Sequence, residues 1–122
     1  SPPYFPKDQF TDKPERFFVN EILRQKIFMY YDKEIPYSVE VQTDEFIEKP
    51  EIIKLRCNII VERESQKGII IGHKGIALKK IGSKARKDLE VFFKKKIFIE
   101  IKVKVSKNWR SSDIQLRKFG YK

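Results

Sequence analysis

The chain has 122 residues, of which 40% are hydrophobic and 36% charged, and its net charge is +10. This length suits one domain with a modest core, and the composition excludes both a disordered chain and a membrane-embedded one. No apolar run approaches the roughly 20 residues that a bilayer-spanning helix needs, and the start of the chain lacks a secretory signal pattern. We therefore expect a cytoplasmic protein.

Cysteine and histidine occur once each, as Cys57 and His73. One cysteine cannot form an internal disulfide, and one histidine with one cysteine cannot build a typical zinc site. Alternating apolar residues around Cys57 predict a small buried strand residue, with a reactive thiol as the alternative. His73 lies in a glycine turn and has no identifiable nucleophile beside it, so we expect a binding protein with no catalysis, cofactor or metal of its own.

The positive charge is concentrated in one segment. Residues 1–65 hold ten Lys or Arg against thirteen Asp or Glu, a net of −3, whereas residues 66–110 hold fourteen against three, a net of +11. Such asymmetry indicates a surface for a polyanion. On charge alone the partner could be a nucleic acid or an anionic membrane surface.

The first half of the chain predicts a tether, a helix and two strands. Residues 1–12 are proline-rich and are typical of a linker, which leaves 13–122 as the domain. Thr11 is an N-cap candidate for a helix over about 14–31, with an apolar stripe formed by Phe17, Phe18, Ile22, Leu23, Ile27 and Tyr31. Alternation over 39–43 and 52–62 predicts two strands, which we expect to pair antiparallel.

The second half predicts two helices, a strand and a helical tail. Helical spacing runs between residues 65 and 95, interrupted by a glycine turn, with a core stripe formed by Leu78, Ile81, Ala85, Leu89 and Phe92. Residues 97–105 alternate as a third strand, and 113–119 suit a short helix. The predicted class is α+β, in the order α-β-β-α-α-β with a C-terminal helical tail.

The candidate binding site is the turn Gly72-His73-Lys74-Gly75 ahead of the long helix. Glycine accepts positive φ and has no Cβ to hold off an approaching backbone, so a sugar-phosphate chain can come close. The N-terminus of the following helix and the charge of Lys74 both favour phosphate. Ile70 and Ile71 could present an apolar wall to unstacked bases.

Basic residues around the turn extend the candidate site. A solvated helix face is the alternative explanation for each of them, and the cluster is better supported than its members. The candidates are Lys67, Lys79, Lys80, Arg86 and, from the second strand, Arg63.

Together these motifs resemble a known family. The Ile-Ile-Gly-His-Lys-Gly signature between two helices resembles a type II KH domain, with a three-stranded sheet packed against helices. The chain is also similar, over nearly its whole length, to the C-terminal KH domain of Era-like bacterial GTPases. The matching segments are Tyr4-Phe5-Pro6-Lys7-Asp8-Gln9, Thr11-Asp12, Arg16-Phe17, Glu21-Ile22, Glu34-Ile35-Pro36-Tyr37-Ser38, Val61-Glu62-Arg63, Gln66-Lys67-Gly68, Ala85-Arg86, Trp109-Arg110 and Gly120-Tyr121.

The resemblance implies a monomer that binds single-stranded RNA at the 3′ end of small-subunit ribosomal RNA, and hence the small ribosomal subunit, during ribosome biogenesis. It further implies GTP and magnesium in an N-terminal GTPase domain, which this sequence lacks because no phosphate-binding P-loop occurs in it. Two alternatives stay open: a KH-type ribosomal protein or RNA-binding module without a GTPase, against which the N-terminal linker argues, and a basic domain peripheral to the inner membrane.

Overall fold

The computed structural model describes residues 12–32 and 34–107. The elements are α1 (Asp12–Tyr30), α2 (Glu34–Tyr37), β1 (Glu40–Glu48), β2 (Ile52–Val61), α3 (Glu64–Ile71), a 3-10 turn (His73–Gly75), α4 (Ile76–Phe93) and β3 (Lys96–Val105). The predicted α+β class and element order are confirmed, with α2 as an unpredicted addition. The proposed linker, apart from Asp12, and the tail helix at 113–119 lie outside the described residues and stay predictions.

The three strands form one sheet in the order β1-β2-β3. β1 and β2 pair antiparallel, as predicted, with Val41 opposite Ile59. β2 and β3 run parallel, with Cys57 opposite Ile101. A parallel pair needs a long crossover, and α3, the glycine turn and α4 supply it. The turn therefore lies within the crossover, between two helices.

A β-bulge explains why the alternation of β1 is legible only as far as Thr43. Thr43 pairs with Cys57 and Glu45 pairs with Arg56, so Asp44 is an extra residue in β1. One extra residue reverses the facing of all that follow. The Asp44 carboxylate accepts a hydrogen bond from Asn58 Nδ2 at 2.5 Å, which holds the bulge.

The core lies between one face of the sheet and the helices. α1 contributes Val19, Leu23 and Ile27, and α4 contributes Ile81, Ala85 and Leu89, each set spaced by four residues and fully buried. β2 contributes every second residue: Ile53, Leu55, Cys57, Ile59 and Val61. The burial of Cys57 agrees with its prediction as a core residue.

Three aromatic residues of the predicted stripes lie outside this core. Phe17 is 64% exposed and Phe92 is 56% exposed. Phe18 is half-buried and stacks on Phe92 with the ring centroids 4.0 Å apart. The neighbouring Phe93 ring lies 5.8 Å from the Phe46 ring on β1, so α4 packs on the sheet here through Phe93 and leaves Phe92 exposed.

The opposite face of the sheet is exposed and charged around Arg56, whereas Asn58 and Ile60, further along β2, are buried. Arg56 on β2 lies between two carboxylates, with Nη1 3.3 Å from Glu45 on β1 and Nε 3.3 Å from Glu100 on β3. This ladder crosses all three strands. The Arg56 guanidinium therefore lies on the face of the sheet that is away from the helices.

Candidate nucleic-acid interface

The turn begins at Gly72, a position that only glycine fits. The Gly72 N–H donates to Gly68 O at 2.8 Å and closes the last turn of α3. Its φ is +76°, and a Cβ there would lie 2.7 Å from the Cβ of Ala77. Both the backbone angle and the contact with α4 exclude a side chain. Gly72 thus sets how closely the two flanking helices meet.

Gly75 closes the turn for a different reason. Its φ is +75°, yet no atom lies within 4 Å of where a Cβ would be. The open space leaves room for a ligand backbone to approach. Gly75 N–H donates to Gly72 O at 3.1 Å, which fixes the shape of the turn.

The two residues between the glycines are exposed. Lys74 has a φ of +54°, a left-handed conformation that a side chain rarely adopts. Such residues cost about 1–3 kcal/mol and persist where the surroundings hold them. The turn leads directly into α4, and the N–H groups of its first turn have no acceptor within the helix. The loop therefore combines the N-terminal dipole of α4 with the ammonium of Lys74, which suits a phosphate.

A groove runs from this turn along α4 and β3. Its volume is about 490 Å³. The lining residues are Lys74, Gly75, Leu78, Lys79, Gly82, Ser83, Arg86, Ile97, Phe98, Ile99 and Ile101. The phosphate-favouring turn and an elongated hollow are therefore continuous.

The floor of the groove is apolar and was not predicted. Leu78, Ile99 and Ile101 are half-buried, and Phe98 is 55% exposed. α4 approaches β3 closely at Gly82, where a Cβ would be 3.4 Å from Ile101 Cδ1. Because β3 is an edge strand, its apolar residues are only partly covered by α4. The signal in the sequence was the alternation of β3, from which only a strand was predicted.

Arg86 lies at the end of the groove furthest from the turn. Its Nη1 is 3.2 Å from Glu90 Oε2, and that oxygen also accepts the Ile97 N–H at 3.2 Å. The guanidinium is thus held against the start of β3. A second hollow beyond it is lined by Pro50, Glu51, Arg86, Glu90, Lys94, Lys95 and Lys96.

The predicted site residues divide into those that line the groove and those that do not. Lys74, Gly75, Lys79 and Arg86 line it, with Gly72 and His73 in the adjoining turn. Ile70 is fully buried, so its side chain cannot form the apolar wall for bases that we predicted. Ile71 is half-buried against the core. The partly exposed apolar surface beside the turn belongs to α4 and β3 instead.

Three predicted basic residues lie away from the groove. Lys80 Nζ is 4.7 Å from the centroid of the Tyr30 ring on α1. Arg63 is exposed at the N-cap of α3 and lines a separate hollow with Glu62, Glu64 and Lys107. Lys67 is half-buried on α3 and does not line the groove. Spacing alone could not show which side of the crossover each residue faces.

Across residues 12–32 and 34–107, no cluster of three or more His, Cys, Asp or Glu could hold a metal ion. No helix in the same ranges is long and apolar enough to cross a membrane.

The turn, the crossover and the groove agree with a family comparison. The KH domain family matches residues 34–110, and the chain belongs to that family. Two solved structures of Era are also similar to it. Era from Aquifex aeolicus bound to GDP·AlF4− is 40% identical over 97% of this chain and 40% of that one, with a TM-score of 0.83.

The second is Era in complex with MgGDPNP and nucleotides 1506–1542 of 16S ribosomal RNA. It is also 40% identical, over 99% of this chain and 41% of that one, with a TM-score of 0.84. The resemblance to Era-like proteins is thereby confirmed. The chain spans about two fifths of the length of these Era chains.

Proposed function

We propose that this domain binds single-stranded RNA in the groove between α4 and β3, and that its target is the 3′ end of small-subunit ribosomal RNA. The observation that carries the proposal is the continuity of the glycine turn with an apolar-floored groove. The RNA-bound Era structure supports the choice of target.

We expect the RNA backbone and the RNA bases to contact different parts of the site. Phosphates lie over Gly72–Gly75, where Lys74 and the N-terminus of α4 attract them. About four unstacked bases follow along the groove and pack on Leu78, Ile99 and Ile101, as in KH domains. Lys79 and Arg86 supply charge along the same path. Base edges then select the sequence.

We further infer that the domain serves a GTPase that acts in ribosome biogenesis at the small subunit, in the cytoplasm. GTP and magnesium would be bound by a separate GTPase domain, as the nucleotides in the Era structures suggest. The role of this domain is to hold RNA, and none of the described residues is assigned a chemical step.

The test is a binding titration with an oligonucleotide of the ribosomal RNA 3′ end and a scrambled one. The double variant His73→Asp, Lys74→Asp places two carboxylates at the phosphate site, and aspartate tolerates the left-handed conformation of Lys74 better than most residues do. We expect an affinity loss of about tenfold or more, which corresponds to 1.4 kcal/mol or more.

The matched control is Lys102→Asp, Lys104→Asp. Both lysines are exposed on β3 outside the groove lining, and their replacement changes the net charge by at least as much. This control should reduce RNA affinity far less than the His73→Asp, Lys74→Asp variant does. Equal losses of RNA affinity in the two variants would mean that only net charge matters. Equal affinity of the wild-type chain for the two oligonucleotides would reduce the proposed function to RNA binding without sequence preference.

Salt dependence separates phosphate contacts from other sources of affinity. Binding should weaken as salt rises, because neutralising phosphates releases cations. Sedimentation with anionic vesicles, with and without competing RNA, tests the membrane alternative. Vesicle binding that RNA does not displace would argue for a separate lipid surface.

A further inference from the structure

The C-terminal end of α1 contacts both helices that flank the glycine turn. The Tyr31 hydroxyl donates a hydrogen bond to Ile70 O, in the last turn of α3, at 2.5 Å. The neighbouring Tyr30 ring lies under the ammonium of Lys80, in the second turn of α4, at 4.7 Å. Two consecutive tyrosines thus connect α1 to the helix before the turn and to the helix after it.

The Tyr31 hydroxyl bonds to the Ile70 carbonyl, which lies in a part of α3 where carbonyls lack a hydrogen-bond donor within the helix. Carbonyls in the last turn of a helix have no N–H within the helix to bond. Gly68 O receives the Gly72 N–H, and Ile70 O receives the Tyr31 hydroxyl. Because Ile70 is only two residues before Gly72, this bond fixes the backbone on which the turn is built.

Tyr31 is itself held by the core. Its N–H donates to Ile27 O at 3.1 Å, so it continues from the end of α1. Ile27 and Leu23 in the preceding turns are fully buried. The hydroxyl is therefore presented from a fixed position. Burial raises the pKa of Tyr31 to about 12, so the donor proton is retained throughout the neutral range.

The turn needs such support. Gly72, Lys74 and Gly75 all have positive φ, and Lys74 pays a steric cost for it. A strained backbone of this kind keeps its shape only when its flanks are restrained. Lys80 contributes to the same restraint from α4, which gives a structural role to a lysine predicted from its charge to contact RNA.

We propose that Tyr31, assisted by the Tyr30–Lys80 contact, is a positioning residue that holds α3 and α4 so that the Gly72–Gly75 turn keeps its phosphate-binding shape. This inference rests on the proposed RNA-binding function. Tyr31 lies outside the groove lining and acts through the backbone of Ile70.

The test compares Tyr31→Phe, which removes one hydroxyl, with Tyr37→Phe, which removes the same atom from an exposed ring. All measurements are made well below the melting temperature of each variant. We expect Tyr31→Phe to lower RNA affinity about fivefold, as the loss of one partly buried hydrogen bond would, and Tyr37→Phe to leave it unchanged.

Two further readouts distinguish positioning from direct contact or general loosening. The slope of log affinity against log salt should stay the same in Tyr31→Phe, because no phosphate contact is lost. Amide hydrogen exchange should become faster at residues 72–77 and stay unchanged in β2.

Several results would overturn the inference. These are wild-type affinity in Tyr31→Phe, a reduced salt slope in that variant, or exchange in β2 that rises in parallel with the turn. Absence of RNA binding by the wild-type chain would instead refute the proposed function, so the two failures are distinguishable.

Discussion

At the scale of single residues, the two glycines of the turn have different physical requirements. Gly72 has a positive φ and a Cβ site that α4 occupies, whereas Gly75 has a positive φ alone. The sequence could predict that both glycines matter, because a Gly-x-x-Gly turn before a helix favours positive φ. The contact with Ala77 depends on how closely α3 and α4 approach, which no local pattern shows.

This difference predicts unequal costs for alanine. Gly75→Ala should lower the free energy of unfolding by about 1–2 kcal/mol, the cost of a left-handed alanine. Gly72→Ala should cost more, because the 2.7 Å contact adds a clash with α4. Urea unfolding of both variants measures this. A larger loss in Gly75→Ala would contradict the assigned geometry.

Because the Cys57 thiol is buried, we expect the folded protein to lose stability at alkaline pH. Burial raises the pKa of its thiol from 9.0 to about 11; the Thr43 hydrogen bond lowers it and the Asp44 carboxylate raises it. The unfolded thiol ionises first, so this contribution to stability is complete below pH 9 and is lost as the pH rises from about 9 to 11.

Urea unfolding of wild type and Cys57→Ala between pH 8 and 11 tests this. The variant should be less stable at pH 8 because of the cavity, and its stability should then fall less steeply with pH. Tyr31, whose pKa is raised from 10.0 to about 12, contributes a later fall in both proteins. If the free energies of unfolding of wild type and Cys57→Ala fell in parallel with pH, the thiol would not titrate as described.

At the scale of elements, the groove is a consequence of strand order. The sequence predicted β3 from its alternation and α4 from its helical stripe. Their juxtaposition at the edge of the sheet depends on the parallel pairing of β2 and β3, which is a non-local property. For that reason the sequence prediction placed the apolar wall of the site on Ile70 and Ile71, whereas the apolar residues that line the groove are Leu78, Ile99 and Ile101.

The packing of α1 on α4 includes a partly buried ion pair. Lys26 is 7% exposed and its Nζ contacts the Asp88 carboxylate, whose side chain is about half exposed. Removing one partner of such a pair leaves a buried charge without its counter-charge, whereas an apolar replacement can be nearly neutral.

We therefore expect Asp88→Asn to lower the free energy of unfolding by about 1–3 kcal/mol, and Lys26→Met to cost less. Thermal unfolding at low and high salt measures both. If Lys26→Met proved the more destabilising variant, the pair would be a net source of stability, contrary to this account.

At the scale of the whole molecule, the groove is formed by the most basic segment of the chain. The segment with a net charge of +11 contains the turn, α4 and β3, which together form the groove, while the open sheet face carries the Glu45–Arg56–Glu100 ladder. The charge division along the sequence could therefore predict which half of the chain forms the groove. It could not separate Lys79 and Arg86, which line the groove, from Lys80, which contacts α1.

The most direct test of the central claim is an amide chemical-shift titration of the isotope-labelled chain with an oligonucleotide of the ribosomal RNA 3′ end. The account predicts shift changes concentrated at residues 72–86 and 97–101, which form the turn and the groove. Changes concentrated instead around Arg56, Lys102 and Lys104 would place the RNA on the open sheet face and contradict the account.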